Sequence, residues 1–209
     1  SNIPSKTGGA TPRPLTKDEI LAIVKKYGEA AKRAQTAGFD AVEIHAGHGY
    51  LISQFLSPYT NHRKDEYGGS LNNRMRFMDQ VMNEVTKAAG NHTAVLVKMN
   101  MSDGFKGGME KDECLQVARR LVDDGAQALV LSGGFVSKAP MYVMRGAMPI
   151  HSMTYYMKSL WLKYGVRLAG QLMIPTVPFR EAYFLEDALD FRKAIREIPL
   201  VYVGGLVSR

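Results

Sequence analysis

The chain has 209 residues, of which 45% are hydrophobic and 22% are charged, a composition typical of one globular domain. It contains no apolar run of about 18 residues, so neither a membrane-spanning helix nor a membrane partner is predicted. Although the net charge is +7, basic and acidic residues are interleaved, as in 63–66 and 110–113, which indicates a solvated surface and no nucleic-acid partner.

Residues 1–16 are rich in Pro, Gly, Ser and Thr and are predicted to form an N-terminal loop. The first residues lack the basic and apolar segments of a signal peptide. Thr16 is a predicted helix N-cap, and Glu19, three residues later, completes a capping box with it. The helix that follows is expected to run to about Ala37 and to end at Gly38, because glycine favours the C-terminal turn of a helix.

The rest of the chain alternates between apolar runs typical of strands and amphipathic runs typical of helices. The predicted elements are strands at 39–45, 95–100, 128–132 and 200–203, and helices at 71–89 (with Ser70 as N-cap), 111–124 and 186–197. Because parallel strands need a crossover connection, this alternation predicts an α/β fold with a parallel sheet. Four strands do not close a (β/α)8 barrel, so an open sheet and part of a larger barrel remain alternatives.

Cys114 is the single cysteine of the chain and lies in the predicted helix 111–124. One cysteine forms no internal disulfide, and the sequence therefore fits a reducing compartment. We accordingly expect a cytoplasmic protein in which Cys114 is a small buried hydrophobic residue.

The longest irregular stretch follows the third predicted strand, at residues 135–183, and is rich in Met and Pro. Connections of this length either carry function or hold short additional elements of secondary structure. We expect one of these two outcomes for the stretch.

Polar and glycine residues cluster where each predicted strand ends, which is where ligands bind in parallel α/β folds. These residues are His45, His48 and Tyr50 after the first strand, Lys98, Asn100 and Asp103 after the second, Ser132, Gly133 and Gly134 after the third, and Gly204 and Gly205 after the fourth. Glycine lets backbone N–H groups approach a phosphate, so the two double-glycine turns suit a phosphorylated cofactor. Plain tight turns are the alternative.

His45 and His48 place two imidazoles beside the phenol of Tyr50. Imidazole N–H groups can hold a carbonyl or phenolate oxygen, and a phenol can supply a proton. Two other interpretations stay open from the residues alone: a structural pair of histidines, and a zinc site. The second is a poor match, because zinc sites with this spacing usually have a neighbouring Glu or cysteine ligands.

The sequence from residue 38 to residue 58, GFDAVEIHAGHGYLISQFLSP, resembles the fourth-strand signature of the Old Yellow Enzyme family. The resemblance continues through Asn61, Arg63, the run DEYGGS at 65–70, and Asn73, Arg74, Arg76 and Phe77. It extends more loosely to the end of the chain. The resemblance implies a partial TIM (β/α)8 barrel, a single incomplete domain over residues 1–209 that covers about strands four to seven.

The family binds FMN without a covalent bond, accepts hydride from NADH or NADPH, and reduces activated alkenes such as α,β-unsaturated carbonyls. The resemblance assigns His45 and His48 to the electron-withdrawing oxygen of the substrate, and Tyr50 to protonation of the alkene carbon. Lys98 stands where the family usually has an Arg against the flavin. A cation is retained there, but it cannot make a forked contact, and an ion pair of Lys98 with Glu43 is the alternative.

The resemblance also implies that the Gly204-Gly205 turn receives the FMN phosphate and that Ser132, Gly133 and Gly134 end the strand before it. Further flavin contacts come from strands of the family that residues 1–209 do not match. We therefore expect the isolated chain to be a non-catalytic half barrel without FMN, and its open sheet edges to favour a homo-oligomer. We expect structural roles, as caps and ion pairs, for Asp65, Glu66, Arg74 and Arg76.

Overall fold

The computed structural model describes residues 12–147, 149–173 and 176–208. Most of the predicted loop 1–16, together with Met148 and Pro175 of the long stretch 135–183, lies outside the described residues. The elements are α1 (Lys17–Thr36), β1 (Ala41–His45), α2 (Leu51–Leu56), α3 (Leu71–Ala89), β2 (Ala94–Asn100), α4 (Lys111–Asp123), β3 (Ala128–Ser132), α5 (Pro140–Met144), α6 (Ile150–Met153), α7 (Leu160–Met173), α8 (Leu185–Ala194) and β4 (Leu200–Tyr202).

The four strands form one parallel sheet in the order β1-β2-β3-β4, which confirms the predicted α/β topology. Ile44, Val97 and Leu129 lie on the face that the helices cover and are buried. The other face is partly open, with Glu43 and Val201 exposed. A parallel sheet with one helix-covered face and one partly open face is what part of a (β/α)8 barrel looks like. The homo-oligomer stays a prediction.

The start and end of α1 follow from local chemistry. The Thr16 side chain accepts a hydrogen bond from the Glu19 N–H, and the Glu19 carboxylate accepts one from the Thr16 N–H at 2.8 Å, which confirms the predicted capping box. At the other end Gly38 has a φ of +82°, and the Phe39 N–H donates to Ala34 O at 3.2 Å. These contacts form a Schellman motif. Because Phe39 takes part in this motif, β1 begins two residues later than predicted.

The segment between β1 and α3 is fixed by side chains whose structural roles were expected. Asp65 pairs with Arg63 at 2.6 Å, and Glu66 pairs with Lys17 at 2.7 Å. Three further contacts bind the start of α3 to its surroundings: Arg74 donates to the Leu56 carbonyl and to Glu113, and Arg76 Nε donates to the Glu66 carbonyl at 2.8 Å. The expectation is confirmed. The short helix α2 inside this segment was not predicted, since six residues show little periodicity.

One further helix boundary differs from the prediction, and the long stretch after β3 contains helices. The helix predicted at 186–197 ends at Ala194, because Ile195 takes an extended conformation and is buried. The stretch 135–183 contains α5, α6 and α7, which confirms that it holds additional elements. No helix in the described part of the chain is both long and apolar enough to cross a membrane.

Candidate active site at the carboxyl ends of the strands

The sheet register brings the predicted site residues of the first three strands to one edge. His45 lies opposite Lys98, and Asn100 lies opposite Ser132. His48 and Tyr50 follow in the turn that leads from β1 into α2, where Tyr50 is the N-cap residue. Residues distant in sequence therefore meet because parallel strands end at the same edge.

His45 is half-buried at the end of β1, and its hydrogen bond defines its tautomer. The Gly47 N–H donates to His45 Nδ1 at 3.2 Å, so the imidazole proton is on Nε2. Burial, and next the nearby charge of Lys98, lower the pKa of His45 below its usual value. His45 is thus a neutral imidazole that can donate one hydrogen bond from Nε2.

His48 is held by both its backbone and its ring. Its N–H donates to Asn100 Oδ1 at 2.9 Å, and its Nε2 lies 2.7 Å from Ser132 Oγ. Its φ of 59° is in the left-handed region, which few residues other than glycine adopt. Burial, followed by the charges of His45 and Lys98, lowers the pKa of His48 to about 4. His48 is therefore also neutral near pH 7.

The three rings of the turn lie together. The ring centroids of His45 and His48 are 5.0 Å apart at an angle of 87°, and those of His45 and Tyr50 are 4.9 Å apart at 61°. Tyr50 is 54% exposed, and its hydroxyl has no hydrogen-bond partner among the described residues. The turn thus presents two neutral imidazoles and one free phenol to the same region.

This arrangement suits the binding and polarisation of an electronegative oxygen. Either group can donate in the hydrogen bond between His48 Nε2 and Ser132 Oγ; when the serine hydroxyl donates, His48 carries its proton on Nδ1 and is a second N–H donor beside His45. Two fixed donors stabilise negative charge that develops on an oxygen between them. Within the described ranges, no three His, Cys, Asp or Glu side chains gather as metal ligands, so the zinc interpretation gains no support.

A buried polar network beneath the turn fixes its position. Asn100 receives the His48 N–H on Oδ1, and its Nδ2 donates to Asp103 Oδ1 and to the Gly134 carbonyl, both at 2.9 Å. Asp103 Oδ2 accepts from Ser57 Oγ at 2.6 Å. Burial is the main cause that raises the pKa of Asp103. The sequence placed Asn100 and Asp103 at this strand end without a role, and their role is to hold the turn.

Phe135, in the loop after β3, packs against the same turn and was missed by the sequence analysis. The Val136 N–H donates to the His48 carbonyl at 3.0 Å, which binds the two loops together. Gly49 has a φ of +81°, and a Cβ on it would lie 2.5 Å from the Phe135 ring. No pattern in the sequence signals this contact, because it joins two irregular segments.

Lys98 points to the open face of the sheet beside His45. Its Nζ donates to Glu43 Oε1 at 2.6 Å, so the ion pair considered as the alternative is present. The Lys98 side chain remains 26% exposed. Pairing and exposure together leave the ammonium able to face a ligand on the open side, and its assignment to a cofactor stays a prediction.

The two double-glycine turns lie beside aromatic side chains. At Gly133 a Cβ would lie 3.1 Å from Tyr142 and 3.2 Å from Phe184, and at Gly205 it would lie 2.6 Å from Tyr183. The Gly134 N–H donates to the Ser102 carbonyl at 2.8 Å and is not available to a ligand. Both turns therefore require glycine for close packing, and their proposed contact with a phosphate stays a prediction.

Arg145 is a second cation near these turns, and no pattern in the sequence indicated its place there. Its guanidinium lies over the rings of Tyr142, Tyr183 and Phe184, at 5.0, 4.4 and 5.3 Å from the ring centroids. None of the described carboxylates pairs with it. Because the same three rings pack on Gly133 and Gly205, this cation belongs to the carboxyl-end face of the sheet.

The donors of this face fit a phosphorylated flavin in chemical type. Lys98 and Arg145 supply positive charge, and His45 supplies a ring N–H. An anionic cofactor with a polar ring is the class of ligand that such donors hold.

Comparison with known proteins identifies the family. Residues 3–166 match the family described as NADH:flavin oxidoreductase / NADH oxidase. The chain is 40% identical over 189 residues to 4,4'-dithiodibutanoate disulfide reductase of Rhodococcus erythropolis, an alignment that covers 90% of this chain and 46% of that protein. It is 41% identical over 138 residues to NADPH dehydrogenase of Clostridium acetobutylicum, with coverage of 65% and 40%.

A solved structure agrees with these relatives. Morphinone reductase in complex with tetrahydroNAD is similar with a TM-score of 0.60 and 25% identity, over 97% of this chain and 54% of that chain. The chain spans less than half the length of the two curated relatives. The family match covers most of the chain, and the parallel sheet fits part of a barrel. The chain therefore belongs to the NADH:flavin oxidoreductase / NADH oxidase family, the Old Yellow Enzyme group of flavin oxidoreductases.

Proposed function

We propose that the protein to which this chain belongs is an FMN-dependent oxidoreductase that uses NADH or NADPH to reduce activated C=C bonds, as in α,β-unsaturated carbonyls. The observation that supports this most directly is the pair of neutral imidazoles beside a free phenol at the end of β1. Such a pair suits a neutral, polarisable carbonyl group better than a charged substrate.

In this proposal the two histidines bind the substrate oxygen, and the tyrosine donates a proton. His45 Nε2–H and the ring N–H of His48 hold the substrate oxygen, which draws electron density from the alkene. The Tyr50 phenol then supplies a proton to the carbon next to the carbonyl. Ser132 orients the His48 ring, and Asn100 fixes the backbone of the turn, so both act through His48.

When bound, FMN would supply the hydride chemistry, and NADH or NADPH would be the reductant of the flavin. Lys98 is proposed to lie toward the flavin ring as a cation, while Gly204 and Gly205 are proposed to receive the phosphate. Ser132, Gly133 and Gly134 line the strand end between them. These assignments rest on the sequence resemblance and on the position of each residue at the carboxyl-end edge.

A disulfide substrate is the second candidate, and the similarity to the Rhodococcus erythropolis disulfide reductase favours it. Cleavage of an S–S bond by two electrons releases two thiolates, and thiolates need no carbon protonation. The two candidates therefore make different demands on Tyr50. Only the alkene reaction requires its proton.

Substitution of Tyr50 in the flavin-loaded parent protein separates the candidates. Tyr50→Phe should leave flavin reduction by NADH or NADPH nearly unchanged and slow flavin reoxidation by an enone by about 100-fold or more, the usual scale for loss of an acid catalyst. Stopped-flow absorbance measures both half-reactions. His45→Ala and His48→Ala should instead raise the KM for enones and weaken phenolic ligands.

Tyr156→Phe is the matched control, since Tyr156 is 87% exposed and lies between α6 and α7, outside the turn after β1. It should change neither half-reaction. If Tyr50→Phe reduces enones at the unsubstituted rate, the assignment of the proton donor is wrong. If Tyr50→Phe slows enones but spares a dialkyl disulfide, both substrates share the site and the tyrosine serves the alkene alone.

For the 209-residue chain purified alone, we propose a half barrel that retains little FMN. Loss of four or five hydrogen bonds, each worth about 1 kcal/mol net, weakens binding by about three orders of magnitude. Visible absorbance of the purified chain measures bound flavin. A yellow preparation with near-stoichiometric flavin contradicts the proposal.

A further inference from the structure

Arg145, directly after α5, is a half-buried cation without an anionic partner in the described part of the chain. Its guanidinium lies over the rings of Tyr142, Tyr183 and Phe184, and its Nε is buried and has no hydrogen-bond partner. A guanidinium has five N–H donors, and a buried donor without an acceptor costs free energy. An anion bound at this place would remove that cost.

Two carboxylates close in sequence to these rings are used elsewhere. The Glu181 carboxylate accepts from the N–H groups of Val207 and Ser208, and Asp187 pairs with Lys111 at 2.7 Å. Residues 125–180 contain no Asp or Glu. The charge of the guanidinium is therefore not neutralised by the described residues around it.

The turn after β4 has three consecutive N–H groups that donate to none of the described residues. The Val203 N–H donates to the Leu131 carbonyl at 3.2 Å, and the N–H groups of Gly204, Gly205 and Leu206 follow without an acceptor. Gly205 has a φ of +69°, in the left-handed region. Successive N–H groups in such a turn form a concave site that binds anions.

Two aromatic residues join the guanidinium to this turn. A Cβ at Gly204 would lie 3.1 Å from the Phe184 side chain, and one at Gly205 would lie 2.6 Å from the Tyr183 ring. The same two rings lie beside Arg145, with their centroids 5.3 and 4.4 Å from its guanidinium carbon. The unpaired cation and the free N–H groups therefore adjoin the same pair of rings at the carboxyl-end face of the sheet.

We propose that Arg145 and the N–H groups of Gly204, Gly205 and Leu206 together bind a phosphate monoester. Such a group carries close to two negative charges and three terminal oxygens, which suits one cation combined with several N–H donors. A carboxylate has one charge and two oxygens, so the fork of the guanidinium alone would satisfy it. The number of free donors therefore favours phosphate.

This inference rests on the proposed function, in which two phosphate monoesters take part. They are the phosphate of FMN and the ribose phosphate that distinguishes NADPH from NADH. The sequence resemblance assigned Gly204 and Gly205 to the first of them and gave no role to Arg145. The contribution of the structure is the charge, which comes from the loop after β3, whereas the N–H groups come from the turn after β4.

Pairs of ligands that differ by one phosphate test the inference. Riboflavin is FMN without its phosphate, and NADH is NADPH without its ribose phosphate. The apo form of the parent protein is titrated with FMN and with riboflavin, and flavin fluorescence measures each Kd. The concentration dependence of flavin reduction in the loaded protein gives the apparent Kd of NADPH and of NADH.

Arg145→Met removes the charge and keeps a long side chain against the rings. If the phosphate is that of FMN, the variant should bind FMN about 30-fold more weakly, the scale of one lost charge-assisted hydrogen bond, and bind riboflavin unchanged. If it is that of NADPH, the same loss should appear for NADPH and not for NADH. Arg145→Lys should recover most of the lost affinity in either case, because it restores the charge.

Arg119→Ala is the matched control, because it removes one positive charge from the exposed surface of α4. It should change none of the four affinities. Arg145→Gln repeats the test with a second uncharged side chain, and far-UV circular dichroism checks that each variant is folded. Added salt should weaken the affected ligand more in the unsubstituted protein than in Arg145→Gln, since salt screens the attraction between guanidinium and phosphate.

Three results overturn the inference. They are equal weakening of FMN and riboflavin together with equal weakening of NADPH and NADH, unchanged affinities for all four ligands, and no recovery by Arg145→Lys, which would assign Arg145 to ring packing alone. The proposed function fails separately. A parent protein that does not reduce enones but loses its preference for FMN over riboflavin with Arg145→Met supports the inference and contradicts that function.

Discussion

The turn after β1 and the helices after β3 belong to one chain, yet polar and apolar groups have opposite places in them. In the turn, the polar groups of Asn100 and Asp103 are buried and hydrogen-bonded beneath His48. In α7, Arg167 faces inward while Trp161 and Leu168 face outward. The first arrangement fixes a set of side chains in space, and the second leaves large apolar side chains exposed.

This difference indicates where precision is needed. Binding of a small molecule by two ring N–H groups requires placement within about half an ångström, which buried networks provide. The exposed side chains of α7 have no comparable network around them. The energetic consequences of substitution should differ accordingly between the two regions.

Asn100→Ala tests the network under the turn. The change removes the acceptor of the His48 N–H and the donor to the Gly134 carbonyl, so buried groups lose their partners. We expect a loss of about 2–4 kcal/mol in the free energy of unfolding. Urea denaturation of the 209-residue chain measures it.

Asn91→Ala provides the reference, because Asn91 is exposed between α3 and β2. Its free energy of unfolding should change by less than about 0.5 kcal/mol. Equal, small effects of both substitutions would show that the turn does not depend on Asn100.

The sequence was sufficient for features that depend on near neighbours. The capping box at Thr16, the helix end at Gly38 and the strand Ala128–Ser132 all follow from residues within a few positions. The resemblance at residues 38–58 added the family, which the comparisons confirm. Local chemistry and a known motif therefore predicted the topology and pointed to the candidate site.

Long-range contacts between irregular segments could not be predicted from the sequence. Asn100 meets His48 across 52 positions, and Ser132 meets it across 84. The Arg145 ring cluster likewise joins two ends of the long stretch 135–183. No periodicity encodes such pairs, because they arise only when the sheet has aligned the strand ends.

Gly49→Ala tests whether the loop after β3 supports the turn. At φ +81° any side chain is strained, and the added Cβ also meets the Phe135 ring at 2.5 Å. We expect the free energy of unfolding to fall by about 1 kcal/mol from backbone strain and by about a further 1–3 kcal/mol from overpacking. Thermal or urea denaturation measures the sum.

Gly38→Ala separates the two contributions. Gly38 has a nearly identical φ of +82° but no atom within 4 Å of an added Cβ. The free energy of unfolding of Gly38→Ala should fall only by the contribution of backbone strain, about 1 kcal/mol. Should the two alanine variants be equally stable, Phe135 contributes nothing to the position of the turn.

Acid should weaken the turn through His48, whose environment disfavours the imidazolium. The pKa of His48 falls from an ordinary 6.5 to about 4 in the folded chain, first because of burial and then because of His45 and Lys98. Between these values the unfolded chain binds a proton at His48 that the folded chain does not. Its contribution to stability is therefore present above pH 6.5 and is lost as pH falls toward 4.

His48→Asn removes this titration while keeping a residue that tolerates a left-handed backbone at φ 59°. Plotted against pH from 7 to about 4, the difference in free energy of unfolding between the chain and the variant should shrink steadily, because only the unsubstituted chain carries this acid penalty. Carboxylates titrate in both proteins and cancel in the difference. Parallel curves over that range would mean that His48 is protonated as easily in the folded turn as in the unfolded chain, and that the turn is more open to solvent than its contacts with Asn100 and Ser132 imply.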